Sequence, residues 1–155
     1  MSGMVFYKTD EEIEYIRESC LLVCRALAHV AGIIRPGISG AEIDKAAEEL
    51  ILDHGAVPSF KGYNGFPATL CVSVNEHVVH GIPSRDQIFR EGDLVSVDCG
   101  AYLNGFHGDS AYTFALGDVE EEVMELCRVT NTSLYKAIDA AVVGSASSHA
   151  GEERR

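Results

Sequence analysis

The stretch VDCGAYLNGFHGDSAYTF, residues 97–114, carries Asp98 and Asp109 on either side of Asn104-Gly105. Asn-Gly between alternating residues is the strongest short signal of a two-residue type I′ hairpin turn, in which both central residues take positive φ. With that turn, Leu103 faces Phe106, Tyr102 faces His107, Gly100 faces Asp109 and Asp98 faces Ala111. The two aspartates then project from one face as diagonal neighbours, with α-carbons about 7–8 Å apart. Carboxylates at that separation reach one metal ion, or bridge two that lie about 3.5–4 Å apart; a shared proton is the other chemistry open to them. Aspartate costs a strand some propensity and is costly to bury unpaired, so two aimed at one spot need such a reason. The convergence is conditional. A one-residue bulge would send one carboxylate to the opposite face, and aspartates beside turns also sit in solvent.

A third residue raises the interest of the pair. In NEHVVHGIPS, residues 75–84, His80 stands directly before Gly81, and Ile82-Pro83 makes a rigid exit. A lone histidine is more often structural than chemical, so His80 counts only in company.

The elements that must position these groups are legible around them. Thr9 with Glu12 forms a capping box, and Ile13, Ile16, Cys20, Val23, Leu27, Val30 and Ile34 follow at helical spacing until Arg35-Pro36-Gly37. Ser39 with Glu42 opens a second helix through Ile43, Ala46, Ala47, Leu50 and Ile51, with Gly55 as its stop. The period then changes to two: residues 70–75, 94–99 and 110–116 alternate, which predicts three or more strands between about 68 and 116. Asp118 with Glu121 predicts a third helix whose buried side is Val119, Val123, Leu126, Leu134, Ile138 and Ala141. The pattern is α+β: helices covering one face of a mainly antiparallel sheet. Residues 144–155, GSASSHAGEERR, lack periodicity and read as a disordered polar tail.

Composition narrows the partners. The chain has 155 residues, 46% apolar and 23% charged, and buries roughly 70% of its unfolded surface on folding, as a globular domain of this length does. Twelve basic against 24 acidic residues, a net charge of −12, disfavour nucleic acid and anionic membranes as partners. The N-terminus lacks a basic and apolar leader pattern and no run has the length of a membrane span, so the expectation is a cytoplasmic protein. Five cysteines at irregular spacing form no disulfide framework; Cys20 and Cys24, one turn apart, are expected to be small core residues.

HGIPS and GFHGD together closely resemble the type I methionine aminopeptidases of the pita-bread metallopeptidase family. RPGISGAEID, GYNGFPATLCVSVN, EGDLVSVDCGAYLNGFHGDSAYTF and RVTNTSLYKAIDAAVVG are similar to that family in the same order, over roughly residues 5–144. The resemblance implies half of a pita-bread fold, with 1–143 the N-terminal portion of the catalytic domain and 144–155 a non-family tail. It implies metal-dependent removal of the initiator methionine from nascent proteins, at a centre of two divalent ions (Co, Mn, Fe or Zn). Asp98 and Asp109 match its two aspartate ligands. His80 matches a histidine that contacts substrate and helps stabilise the tetrahedral intermediate. Tyr63, Phe66 and Cys71 match positions lining the methionine pocket, with plain core packing as their alternative. His77 and His107 match no ligand and are expected to be supporting or surface residues. The remaining ligands, one histidine and two glutamates, belong to a second half whose motifs do not occur here, and Asn104 stands where many relatives have aspartate. The expectation is therefore a truncated chain with little activity alone, associating with itself or with a second-half chain. The alternative is a non-catalytic half-domain that binds a partner.

Overall fold

The computed structural model describes residues 6–142. Helix α1 spans Asp10–Ile33 and α2 spans Gly40–Asp53, each opened by the expected capping box: Thr9 with Glu12, and Ser39 with Glu42. In each box the cap hydroxyl accepts from the third backbone N–H while the glutamate accepts from the cap N–H, which satisfies two otherwise orphaned donors. Four strands follow: β1 (Val57–Pro58), β2 (Leu70–Val74), β3 (Leu94–Leu103) and β4 (Phe106–Ala115). Helix α3, Glu121–Ala140, ends the described chain.

Strand β3 organises the sheet. It pairs antiparallel with β4 along its whole length, from Leu94–Ala115 to Leu103–Phe106. Its other edge therefore takes β2 (Leu70–Cys99 to Val74–Val95) and then β1 (Val57–Tyr102, Pro58–Ala101). The hairpin register is the one read from the sequence, with Asn104 and Gly105 at φ 52° and 87°, as a type I′ turn requires. One face of the sheet carries Leu70, Val72, Val95, Val97, Cys99 and Ala101, which join Leu22, Val23, Val30, Ile43 and Ile51 of the two helices in a single buried cluster.

Gly108 and Ser19 fix α1 on the hairpin. A Cβ at Gly108 would lie 2.4 Å from the Ser19 carbonyl carbon and 2.5 Å from the Cys20 nitrogen, so the helix backbone rests directly on β4. The fully buried Ser19 hydroxyl lies 3.1 Å from the carbonyl oxygens of Leu103 and Phe106, on either side of the turn, and of Tyr15. Its one proton is shared among three acceptors.

Three sequence expectations are corrected. Cys24 is exposed and Cys20 only half-buried; the buried cysteines are Cys71 and Cys99, of which Cys99 joins the core cluster. The buried stripe of α1 is Ser19, Leu22, Val23, Ala26, Leu27 and Val30, and at 100° per residue Cys24 falls roughly 130° round from its centre. The cap of α3 is Glu120, without a side-chain bond, rather than Asp118. No residue of α3 is buried: Leu126, Leu134 and Ile138 are all more than half exposed. The chain divides after Asp118 into two compact units, and α3 belongs to the second. Residues 144–155 lie outside the described residues. Among the described residues no helix is long and apolar enough to cross a membrane.

Candidate functional site

The face of the sheet opposite the core holds the chemistry. Cys71, Asp98 and Ala111 form a row across β2, β3 and β4, and Asp109 lies diagonally from Asp98, opposite Gly100. The pleat sends residues that face each other, and those two apart, to one side. Asp98 and Asp109 therefore share a face, without an intervening bulge. Burial pushes the Asp98 carboxyl above the usual carboxylate range, and the neighbouring Asp109 charge pushes the same way; the His80 imidazole and the Cys99 backbone N–H pull against them. His80 is thus electrostatically coupled to the pair.

His80 is placed by backbone geometry. It sits at φ 58°, in the left-handed region that few non-glycine residues adopt, histidine more readily than most. The cause is Gly81, which lies flat against β2: its N–H donates to Ser73 Oγ (3.1 Å) and its carbonyl accepts from Val72 N (2.8 Å). A Cβ at Gly81 would lie 2.1 Å from the Val72 carbonyl oxygen, so glycine is required for this approach. The histidine is consequently presented at the border of the sheet, exposed.

Cys71 is 6% exposed, and burial, followed by the charges of Asp98 and Asp109, pushes its thiol up to about 11. At neutral pH it is a protonated, polarisable wall rather than a thiolate ligand. Tyr63 and Phe66 lie on a tight turn within the loop before β2. Tyr63 is 72% exposed, which rules out the core-packing alternative for it, and Phe66 is half-buried. The loop that carries both begins over Gly100, opposite Asp109, and ends at Cys71, opposite Asp98. It arches from one carboxylate position to the other.

Residues missed in the sequence secure the start of that loop. The Phe60 ring stands 2.7 Å from where a Gly100 Cβ would be, with the Ser59 side chain at 2.9 Å. Ser59 N donates to the Gly100 carbonyl (2.9 Å), and Ser59 Oγ lies 2.9 Å from His107 Nδ1. His107 also packs on Tyr102, ring centres 4.6 Å apart. The signal was Gly100 itself, a glycine inside a strand that marks a close approach. His77 is exposed, and its backbone N–H donates to Val74 O (3.0 Å).

Among the described residues no group of three or more His, Cys, Asp or Glu side chains is arranged to hold a metal ion. The aspartate pair fits the carboxylate share of a divalent-cation site: two hard oxygen donors share a face, and the like charge that disfavours ionised Asp98 is what a cation between them would offset.

Comparison with known proteins gives the family. The chain is 47% identical over 142 residues to a methionine aminopeptidase of Clostridium acetobutylicum, an alignment covering 92% of this chain and 57% of that protein. It is 45% identical over 141 residues to methionine aminopeptidase 1 of Bacillus subtilis, covering 91% and 56% respectively. The crystal structure of methionine aminopeptidase from Thermotoga maritima superposes with a TM-score of 0.85 at 41% identity, over 90% of this chain and 55% of that one. The chain spans about half the length of the relatives it matches, and the fold is accordingly half of theirs. Residues 14–153 match the model of metallopeptidase family M24, and the chain belongs to that family.

Proposed function

We propose that this chain supplies the carboxylate half of a methionyl aminopeptidase centre, acting on the N-terminal methionine of newly made proteins in the cytoplasm. The observation that carries the reading is the diagonal placement of Asp98 and Asp109 on one rigid face, with His80 coupled to Asp98. Asp98 and Asp109 would hold divalent ions of the Co, Mn, Fe or Zn class, two in a complete site. When bound, such ions supply Lewis acidity and lower the pKa of a water molecule.

The chain's own residues do the rest. His80, held in a left-handed backbone conformation at the sheet border, offers a ring nitrogen to the peptide group next to the carboxylates. Cys71 beside Asp98, with Tyr63 and Phe66 on the arching loop, offers a polarisable, largely apolar surface of the kind that suits a thioether side chain. The sheet keeps the two carboxylates at fixed separation, so little reorganisation accompanies cation binding.

The test is methionine release from a Met-Ala-Ser peptide with Mn²⁺ or Co²⁺ supplied and a chelator control. It is paired with calorimetric titration of the metal into wild type and Asp98→Ala. Metal-dependent release that Asp98→Ala abolishes supports the reading. Metal binding that Asp98→Ala leaves intact overturns the ligand assignment. A second reading, a half-domain that works by docking a partner, is favoured by the exposed apolar side chains of α3 and by the absence of a three-ligand cluster among the described residues. Binding of metal without release, together with self-association in light scattering, would select it.

A further inference from the structure

The loop from Ser59 to Thr69 has a problem of order. Lys61, Gly62, Tyr63, Asn64 and Gly65 are all exposed, so almost nothing in its middle is held by burial. Three of its residues take positive φ: Gly62 at 88°, Asn64 at 48° and Gly65 at 82°. Its internal bonds, Tyr63 N to Phe60 O, Phe66 N to Tyr63 O and Gly62 N to Phe66 O, close turns but do not attach it to anything. Fixing such a segment costs about 1–2 kcal/mol of backbone entropy per residue. Its placement must come from its ends.

Both ends lead to one face of α2. At the C-terminal end, Asp44 Oδ1 accepts from the backbone N–H of Thr69 (3.0 Å) and of Leu70 (2.7 Å), two fully buried residues. At the N-terminal end, Lys61 Nζ lies 2.5 Å from Glu48 Oε1. Asp44 and Glu48 are four residues apart, one turn of the same helix, and the Lys61 ammonium is drawn by both carboxylates. The glutamate side chain is 26% exposed, so this pair is partly shielded from water.

We propose that α2 is a two-point clamp for this loop, and that Asp44 is a positioning residue for Tyr63 and Phe66 although it touches neither the carboxylate pair nor the pocket. The assignment of Tyr63 and Phe66 to a methionine pocket rests on the function proposed above; the clamp itself does not. Because both N–H bonds converge on a single oxygen, Asp44→Asn keeps the acceptor and loses only the charge. Asp44→Ala removes it and leaves two buried donors orphaned.

Amide hydrogen exchange followed by NMR tests this directly. Asp44→Ala should accelerate exchange at Thr69 and Leu70 by about tenfold or more, with faster exchange through residues 60–68 and no matching change in α1 or β3. Asp44→Asn should restore most of the protection. Lys61→Met removes the more exposed contact and, with little demand on folding, should accelerate exchange at residues 60–66 by about two- to fivefold. Unchanged loop exchange in both Asp44→Ala and Lys61→Met overturns the clamp. So does acceleration spread evenly over the whole chain, and if Asp44→Ala fails to fold, Lys61→Met alone decides. Titration of L-methionine into the same samples separates the two ideas: no shift at Tyr63 or Phe66 in wild type counts against the pocket, while the exchange data still judge the clamp.

Discussion

Gly108→Ala is the sharpest test of how α1 holds the aspartate hairpin. The added Cβ would meet three backbone atoms of α1, the Ser19 carbonyl carbon at 2.4 Å, the Cys20 nitrogen at 2.5 Å and the Ser19 oxygen at 2.5 Å. No side-chain rotation relieves a clash with helix backbone, so α1 must recede by about 1 Å. Overpacking of this kind costs about 1–3 kcal/mol. The Ser19 hydroxyl bonds to Leu103 and Phe106, now 3.1 Å, would stretch beyond useful length, adding about 0.5–1.5 kcal/mol. In a strand free of neighbours the same substitution would stabilise by about 0.5–1 kcal/mol, since glycine is entropically costly there. The net expectation is a loss of about 1–4 kcal/mol, opposite in sign to the intrinsic preference. Urea unfolding followed by far-ultraviolet circular dichroism gives the number. Ser19→Ala should lose about 1 kcal/mol, and the double variant should lose less than the sum, because both act through one contact. A Gly108→Ala chain as stable as wild type, or more so, would refute the packing argument.

Two further expectations concern titration. In the folded chain, burial outweighs the two N–H bonds and holds the Asp44 carboxyl above its ordinary value of 3.8. The folded state then binds that proton more tightly than the unfolded state, so this group's contribution to stability is present at low pH and declines as pH rises from the ordinary value through the raised one. Asp44→Asn should therefore gain stability relative to wild type as pH rises above the ordinary value of 3.8, and urea midpoints that move the other way would refute the sign. Among the thiols, burial pushes Cys99 up to about 12 and Cys71 to about 11, whereas Cys24 is exposed. Ellman's reagent at pH 8 should label Cys24 fastest, the half-buried Cys20 and Cys127 more slowly, and Cys71 and Cys99 only on unfolding; labelling of the folded chain that persists when Cys20, Cys24 and Cys127 are all replaced by alanine would contradict the exposure pattern.

What could be read in the sequence was what short-range rules decide. A side-chain period of two and an Asn-Gly turn leave one sensible register, so the diagonal placement of Asp98 and Asp109 follows from the sequence alone. The capping boxes at Thr9 and Ser39 were legible for the same reason, being complete within four residues. At Asp118 the same four-residue pattern misled, because long-range contacts compete for it: its N–H donates to Glu91 Oε1 (3.3 Å), and the helix cap falls two residues later, at Glu120. Periodicity identified the apolar stripe of α3 but could not say whether anything covers it. Strand β1, two residues long, has no pattern to detect. Phe60 over Gly100 and Asp44 beneath Thr69 depend on contacts 40 and 25 residues apart in the chain. Only the glycine left a trace of either.

The two carboxylates also explain why the hairpin is so heavily anchored. Two ionised carboxylates beside each other on one face repel. An isolated two-stranded hairpin is marginal in water and would relieve that repulsion by fraying or slipping register. Here slippage would carry Val95, Val97 and Cys99 out of the core, since a one-residue shift turns every side chain to the other face. Fraying at the turn would break the Ser19 bonds to the carbonyls of Leu103 and Phe106. The apolar face of β3 and the contact of α1 with β4 therefore hold the charges together on the opposite face. Asp98 and Asp109 stay close because separating them would dismantle the core, and the cation site proposed above rests on that constraint.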